Sequence, residues 1–140
     1  MEGSDLMWRF PNFTRDEFAC GCGCGFDEID PLLVSTLQRL RDEVQRPVVV
    51  NSGCRCAEHN IKVGGSPATP GKPGTGSRHL YGKAADIRID GMTAREIFDV
   101  IRRLCVDGEI YVGYVYAING RSVHVDVRAP QSQVVRRWTR

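Results

Sequence analysis

The chain lacks any run of about 18 apolar residues, so no helical membrane span is expected. Its opening, MEGSDLMWRF, carries Glu2 and Asp5 and no apolar stretch of the kind a secretory leader needs. The expectation is synthesis in the cytoplasm without a signal peptide, with any work outside a membrane requiring another route out. An excess of one charge is also missing. Against 17 acidic residues stand 19 Lys and Arg, a net charge of +2, and the pI is near 8.3. That is too mild for a nucleic-acid-binding domain, which would show a clustered basic face. The tail RRWTR reads as a solvated end. Histidine is scarce: His59, His79 and His124 are all there are, so imidazole chemistry has few places to be.

Cysteine is not scarce. Of six, five cluster: Cys20, Cys22 and Cys24 in CGCGCG, and Cys54 and Cys56 in GCRC. Without a secretion signal, a disulfide framework is not the default. Closely spaced thiols in a reducing compartment suggest a structural zinc held by Cys20, Cys22, Cys24, Cys54 and Cys56. Free or redox-labile thiols are the alternative, because Cys-x-Cys is tighter than the Cys-x2-Cys of ordinary zinc knuckles. Cys105 falls in an apolar helical pattern and reads as core.

A chain of 140 residues suits one domain with one core. Residues 1–12 read as an irregular lead, 13–128 as the domain and 129–140 as a basic tail. Thr14 and Glu17 stand at capping-box spacing and start a short helix. Asp30 as N-cap and Pro31 at the first position open a longer one, with Leu33, Leu37, Leu40 and Val44 on one face and Pro47 as its stop. PVVVNSG reads as a strand, and RCAEHNIKV as a helical turn. Residues 64–77 hold five glycines and three prolines; they read as a loop beside a site. KAADIRI alternates as a strand. Thr93 caps a helix that turns Ile97, Val100, Ile101 and Leu104 inward. EIYVGYVYAI and RSVHVDVRA read as strands joined at Asn119-Gly120, a strong two-residue hairpin signal. In the last strand Val123, Val125 and Val127 share one face; Ser122, His124, Asp126 and Arg128 share the other. The class is α+β, a mostly antiparallel sheet flanked by helices.

In SRHLYGKAADIRI, His79 and Asp86 stand seven positions apart with small residues between them. A surface loop running into a half-buried strand would explain that, and so would two ligands of one metal. With His124 on the polar face of the last strand, two histidines and a carboxylate match the ligand set of a catalytic zinc, whose fourth position is left to water.

These blocks resemble the M15 family of zinc peptidases. SRHLYGKAAD is similar to its Ser-x-His-x6-Asp signature. VNSGCRCAEHNIKVGG resembles the segment that carries a serine, a glycine and an arginine after a strand. SVHVDVR resembles the C-terminal zinc-ligand strand, and the cysteine-rich opening is similar to that of one subfamily. The family includes D-Ala-D-Ala carboxypeptidases and phage endolysins that cut L-Ala-D-Glu and related bonds, and it shares its fold with the hedgehog signalling domain. The resemblance implies a hedgehog/DD-peptidase-like fold. It implies Zn2+ held by His79, Asp86 and His124, with Arg55 on the substrate carbonyl or developing oxyanion. It also implies that Ser77 contacts substrate or a ligand. Gly82, Ala84 and Ala85 would be small because the backbone passes close to the metal and the sheet, with a positive φ expected at Gly82.

One departure stands out. Many members carry a catalytic acid three residues before the last histidine; here that position is Arg121, which cannot act as a base. Asp126, on the same strand face as His124 and roughly 7 Å along it, is expected to replace that acid through a water, or to orient a ligand. His59 is expected to be structural or substrate-side. The function that follows is hydrolysis of a peptide bond in peptidoglycan stem peptides by a monomer, phage-encoded or host-released and acting on the cell wall. The alternatives are a non-catalytic zinc module that binds cell wall or protein, and an accessory phage structural domain.

Overall fold

A computed structural model describes residues 10–128. The basic tail, and all but the last three residues of the expected lead, lie outside the described residues. Four strands form one antiparallel sheet: β1 (Val49–Ser52), β2 (Ala84–Arg88), β3 (Tyr114–Ala117) and β4 (Ser122–Asp126). Their order is β1-β2-β4-β3, which puts β2 and β4 in the centre. Three α-helices, α1 (Pro31–Val44), α2 (Ala57–Lys62) and α3 (Ala94–Val106), complete the α+β fold with two 3-10 turns, Arg15–Phe18 and Arg78–Tyr81. No helix among the described residues is long and apolar enough to cross a membrane.

The helices start where their caps stand. The Asp30 carboxylate accepts from Leu32 N–H at 2.9 Å, with Pro31 next to it. Thr93 and Glu96 form a capping box at the start of α3. Glu17 accepts from Thr14 N–H at 2.6 Å, but the helix it opens is a single 3-10 turn. α1 ends before Pro47, at Gln45 in the left-handed region. Leu33, Val34, Leu37 and Leu40 of α1 pack with Ile97, Ile101, Leu104 and Cys105 of α3 against one sheet face, made of Ile87, Val115, Val123 and Val125. Each fully buried aliphatic of this kind contributes about 1.5–3 kcal/mol. The core thus covers one face of the sheet, and the polar residues on the other are free to build a site.

Two expectations change in detail. The strand expected from Glu109 begins only at Tyr114; just before it, Gly113 N–H donates to the Asp126 carbonyl at 2.9 Å, and a Cβ there would stand 2.0 Å from the Arg128 carbonyl oxygen. The β3–β4 hairpin exists, but neither Asn119 nor Gly120 adopts a positive φ. Instead the Asn119 side chain accepts from the N–H groups of Arg121 (2.8 Å) and Ser122 (2.9 Å), an Asx-type closure. The Gly120 carbonyl then accepts from Ala94 N–H and docks the turn on the start of α3.

Candidate metal centre

Strand register places the first pair of functional groups. Asp86 on β2 lies directly opposite His124 on β4, so both side chains leave the same face of the sheet. The third group comes from the 3-10 turn before β2. Ser77 Oγ accepts from His79 N–H at 3.3 Å and starts that turn, which aims the imidazole back over β2. Gly82 ends it with a φ of 67°, and a Cβ there would meet the Glu28 carbonyl oxygen at 1.9 Å. This explains the glycine: the residue must be left-handed and must let the segment before α1 pass.

Ligand atoms of His79, Asp86 and His124 all lie within 4.8 Å of one another. Asp86 Oδ1 is 3.2 Å from His79 Nε2 and 3.0 Å from His124 Nδ1. The outer ring nitrogens are engaged elsewhere: His79 Nδ1 with the Gly53 carbonyl at 2.6 Å, His124 Nε2 with Asp126 Oδ2 at 2.8 Å. Because a carbonyl and a carboxylate can only accept, each outer nitrogen carries the hydrogen. Neutral rings would then point two inner lone pairs at a carboxylate oxygen. Three acceptors facing one point require a cation between them, a metal or protons, so the donor set fits zinc.

The charge balance says the same. Burial opposes the ionised Asp86, yet hydrogen bonds from His124 and His79 outweigh it and hold its pKa well below the carboxylate range. Burial also opposes the imidazolium of His124, but Asp126 and Asp86 outweigh it and raise the pKa. Without metal, the fold thus favours a proton on His124 where the metal would sit. Tyr116 stacks on the His124 ring, with centroids 4.6 Å apart and planes 13° apart, and fixes its orientation.

Arg55 bridges the centre and the wall beside it. It donates to Asp86 Oδ2 (3.2 Å), Ser52 Oγ (3.2 Å) and Asn60 Oδ1 (3.3 Å). A guanidinium has five N–H groups, which leaves others for the cleft it lines. Asn60, fully buried, joins Arg55 to the Ser66 carbonyl and so to the loop over 64–77, part of which walls the cleft. Neither Asn60 nor the Gly53 carbonyl was marked by any sequence pattern.

Asp126 is placed differently from a base reached through a water. It is fully buried, and it bonds His124 directly. Arg128 grips it with two bonds, Nε to Oδ1 at 2.8 Å and Nη2 to Oδ2 at 2.7 Å. Burial works against its charge, but His124 and Arg128 hold its pKa down. A carboxylate so held is a weak proton acceptor and a strong orienting group. Arg121 is exposed on the hairpin turn and does not line the cleft.

The cleft over the centre has a volume of about 600 Å³, and its lining includes Arg55, Arg78, Arg128, Tyr114 and Tyr116. Asp86 is the only carboxylate in that lining among the described residues. His59 lies elsewhere, against Gly21, with its buried Nδ1 unpartnered. The thiols of Cys20, Cys22, Cys24 and Cys56 converge in a separate group. Cys54 does not join them: it is buried, donates to the Glu28 carbonyl at 3.0 Å, and burial pushes its thiol up to about 12. Its sequence position beside Cys56 misleads, because its thiol is committed to the Glu28 carbonyl instead.

A search among curated proteins finds no match. A family model described as Peptidase M15 matches residues 11–126. The match runs through β4 and the turn that carries His79, and it spans most of the chain: the protein belongs to the peptidase M15 family.

Proposed function

We propose that this protein is a zinc-dependent peptidase that hydrolyses a peptide bond in peptidoglycan stem peptides. The observation that carries the reading is the convergence of His79 Nε2, Asp86 and His124 Nδ1 at the floor of a cleft of about 600 Å³. A zinc ion held there supplies a Lewis acid and lowers the pKa of water to about 7. The chain's own residues do the rest. The Gly53 carbonyl and Asp126 hold the two imidazoles in the tautomers that present lone pairs inward. Arg55 orients Asp86 and offers its remaining N–H groups to a carbonyl oxygen that gains negative charge, a contribution of the kind worth about 10²–10³ in rate. Three arginines against one carboxylate make the lining positive, which suits a stem peptide rich in carboxylates.

A second reading rests on a different observation. Asp86 is the only carboxylate lining the cleft among the described residues, and Asp126 is enclosed. A centre without a proton acceptor would bind cell-wall peptide through zinc and arginine without turning it over. Digestion of purified peptidoglycan, with soluble fragments identified by mass spectrometry, separates the two. New amino and carboxyl ends at one stem-peptide bond, absent after chelation and in His79→Ala, are the expected result. Zinc-dependent binding without new ends would support the second reading and refute the first.

A further inference from the structure

The Cys-x-Cys-x-Cys run suggests a metal site, but its spacing is tighter than that of ordinary zinc knuckles, and alternate residues of an extended chain stand roughly 7 Å apart. The structure removes that objection. The chain turns back at this run: Cys20 N–H donates to the Phe26 carbonyl, Gly23 N–H donates to the Cys20 carbonyl, and Gly23 and Gly25 both take positive φ. Cys20 and Cys22 thereby come to 3.4 Å, sulfur to sulfur. Cys56, 36 residues later in sequence than Cys20, closes on both, at 3.8 Å from Cys20 and 3.7 Å from Cys22. Cys24 completes a group whose sulfurs all lie within 4.8 Å of one another.

These distances discriminate between chemistries. A disulfide requires about 2.05 Å. Four thiolates at about 2.3 Å around a tetrahedral zinc stand about 3.8 Å apart; Cys56 stands at 3.8 and 3.7 Å from Cys20 and Cys22, which are themselves 3.4 Å apart. Backbone N–H groups also aim at the sulfurs: Cys56 N–H at Cys20 Sγ and His59 N–H at Cys56 Sγ, both 3.4 Å. Such donors stabilise charge on sulfur that a neutral thiol would not need.

We propose that Cys20, Cys22, Cys24 and Cys56 form a structural zinc site, distinct from the cleft, that clasps the segment after the first 3-10 turn to the loop carrying Arg55. Binding releases the thiol protons and leaves Cys54 out. The clasp has a specific load. Cys56 follows Arg55 in the chain, Arg55 N–H donates to the His79 carbonyl at 2.9 Å, and the nearby Gly53 carbonyl holds His79 Nδ1. Cys54 N–H donates to the Phe18 carbonyl at 2.7 Å, and a Cβ on Gly53 would meet Phe18 backbone at 2.6 Å. The loop that orients one histidine and one arginine of the cleft is thus pressed onto the segment the four thiolates would fasten. With Cys22 and Cys24 exposed, the site is open to loading, chelation and oxidation.

Cobalt tests this without relying on hydrolysis. The full chain is loaded with Co2+ under anaerobic, reducing conditions. Wild type is expected to show an intense sulfur-to-cobalt charge-transfer band in the near ultraviolet. The His79→Ala/His124→Ala variant is expected to keep that band and lose about half the bound metal. Cys22→Ser/Cys56→Ser is expected to lose the band. A cobalt-saturated wild type without it would overturn the proposal, whatever the variants do, and so would a band that survives in Cys22→Ser/Cys56→Ser. Loss of metal from the histidine variant with the band intact bears on the cleft alone, so failure of the two sites can be told apart.

Discussion

His124 works with both of its nitrogens, and Asp126 decides which does what. By accepting from Nε2, Asp126 leaves Nδ1 with a lone pair toward Asp86. Asp126→Asn keeps the shape but removes the charge that both His124 and Arg128 face. Zinc affinity is expected to fall about 10–100-fold, as for other carboxylates that support a ligating histidine; competition with a chromophoric chelator reads it, and an unchanged affinity would contradict the orienting role. The same histidine sets a pH dependence. Its pKa is raised in the metal-free fold, so its stabilising contribution is full below the unfolded value of about 6.5 and disappears as pH rises through the folded value. Zinc competes with that proton, so its binding strengthens over the same rise. Chelated protein should therefore melt at lower temperature as pH rises above about 6.5, while the added stability from zinc grows. Calorimetry with and without chelator checks both slopes. Asp86 and Asp126 act in the other direction: their pKa values are depressed, so their contribution is present above about 4 and is lost in acid.

Among elements, the 3-10 turn Arg78–Tyr81 matters most, because of the cleft's three candidate ligands it alone carries one from outside the sheet. Its exit is pinned: Asp30 N–H donates to the Gly82 carbonyl at 3.0 Å, and Lys83 pairs with the Asp30 carboxylate at 2.7 Å. Gly82→Ala would strain the left-handed residue by about 1–3 kcal/mol and drive a methyl into the Glu28 carbonyl. A loss of at least that size in urea unfolding, together with weaker zinc binding, is expected; a neutral effect would show that the turn relaxes freely. Elements with their own local signals were legible in the sequence. Asp30-Pro31 and Thr93 with Glu96 announced α1 and α3 because capping is a short-range interaction. The late start of the third strand was not legible, since where pairing begins depends on contacts between distant positions such as Gly113 and the backbone of Asp126 and Arg128. The Asn119-Gly120 signal found the hairpin but not its conformation, because the Asn119 side chain supplied the bonds a primed turn would have made.

At the scale of the molecule, one sheet separates two chemistries. Valines and Ile87 bury one face against α1 and α3, while the alternating residues Asp86, His124 and Asp126 occupy the other. Alternation of period two made that division readable and put His124 on the polar face; the His79–Asp86 spacing and the family resemblance added the other two candidate ligands, and the structure brings all three together. What supports them was not readable. The Gly53 carbonyl belongs to a group every residue has, Asn60 acts only because a loop folds over it, and the direct bond from Asp126 to His124 depends on side-chain conformation rather than on strand spacing. The metal centre is tested most directly by crystals grown with zinc and measured on both sides of the zinc absorption edge. The expected result is an anomalous peak bonded to His79 Nε2, an Asp86 oxygen and His124 Nδ1. No peak there at full zinc loading, or one bonded to His124 through Nε2, would contradict the assignment.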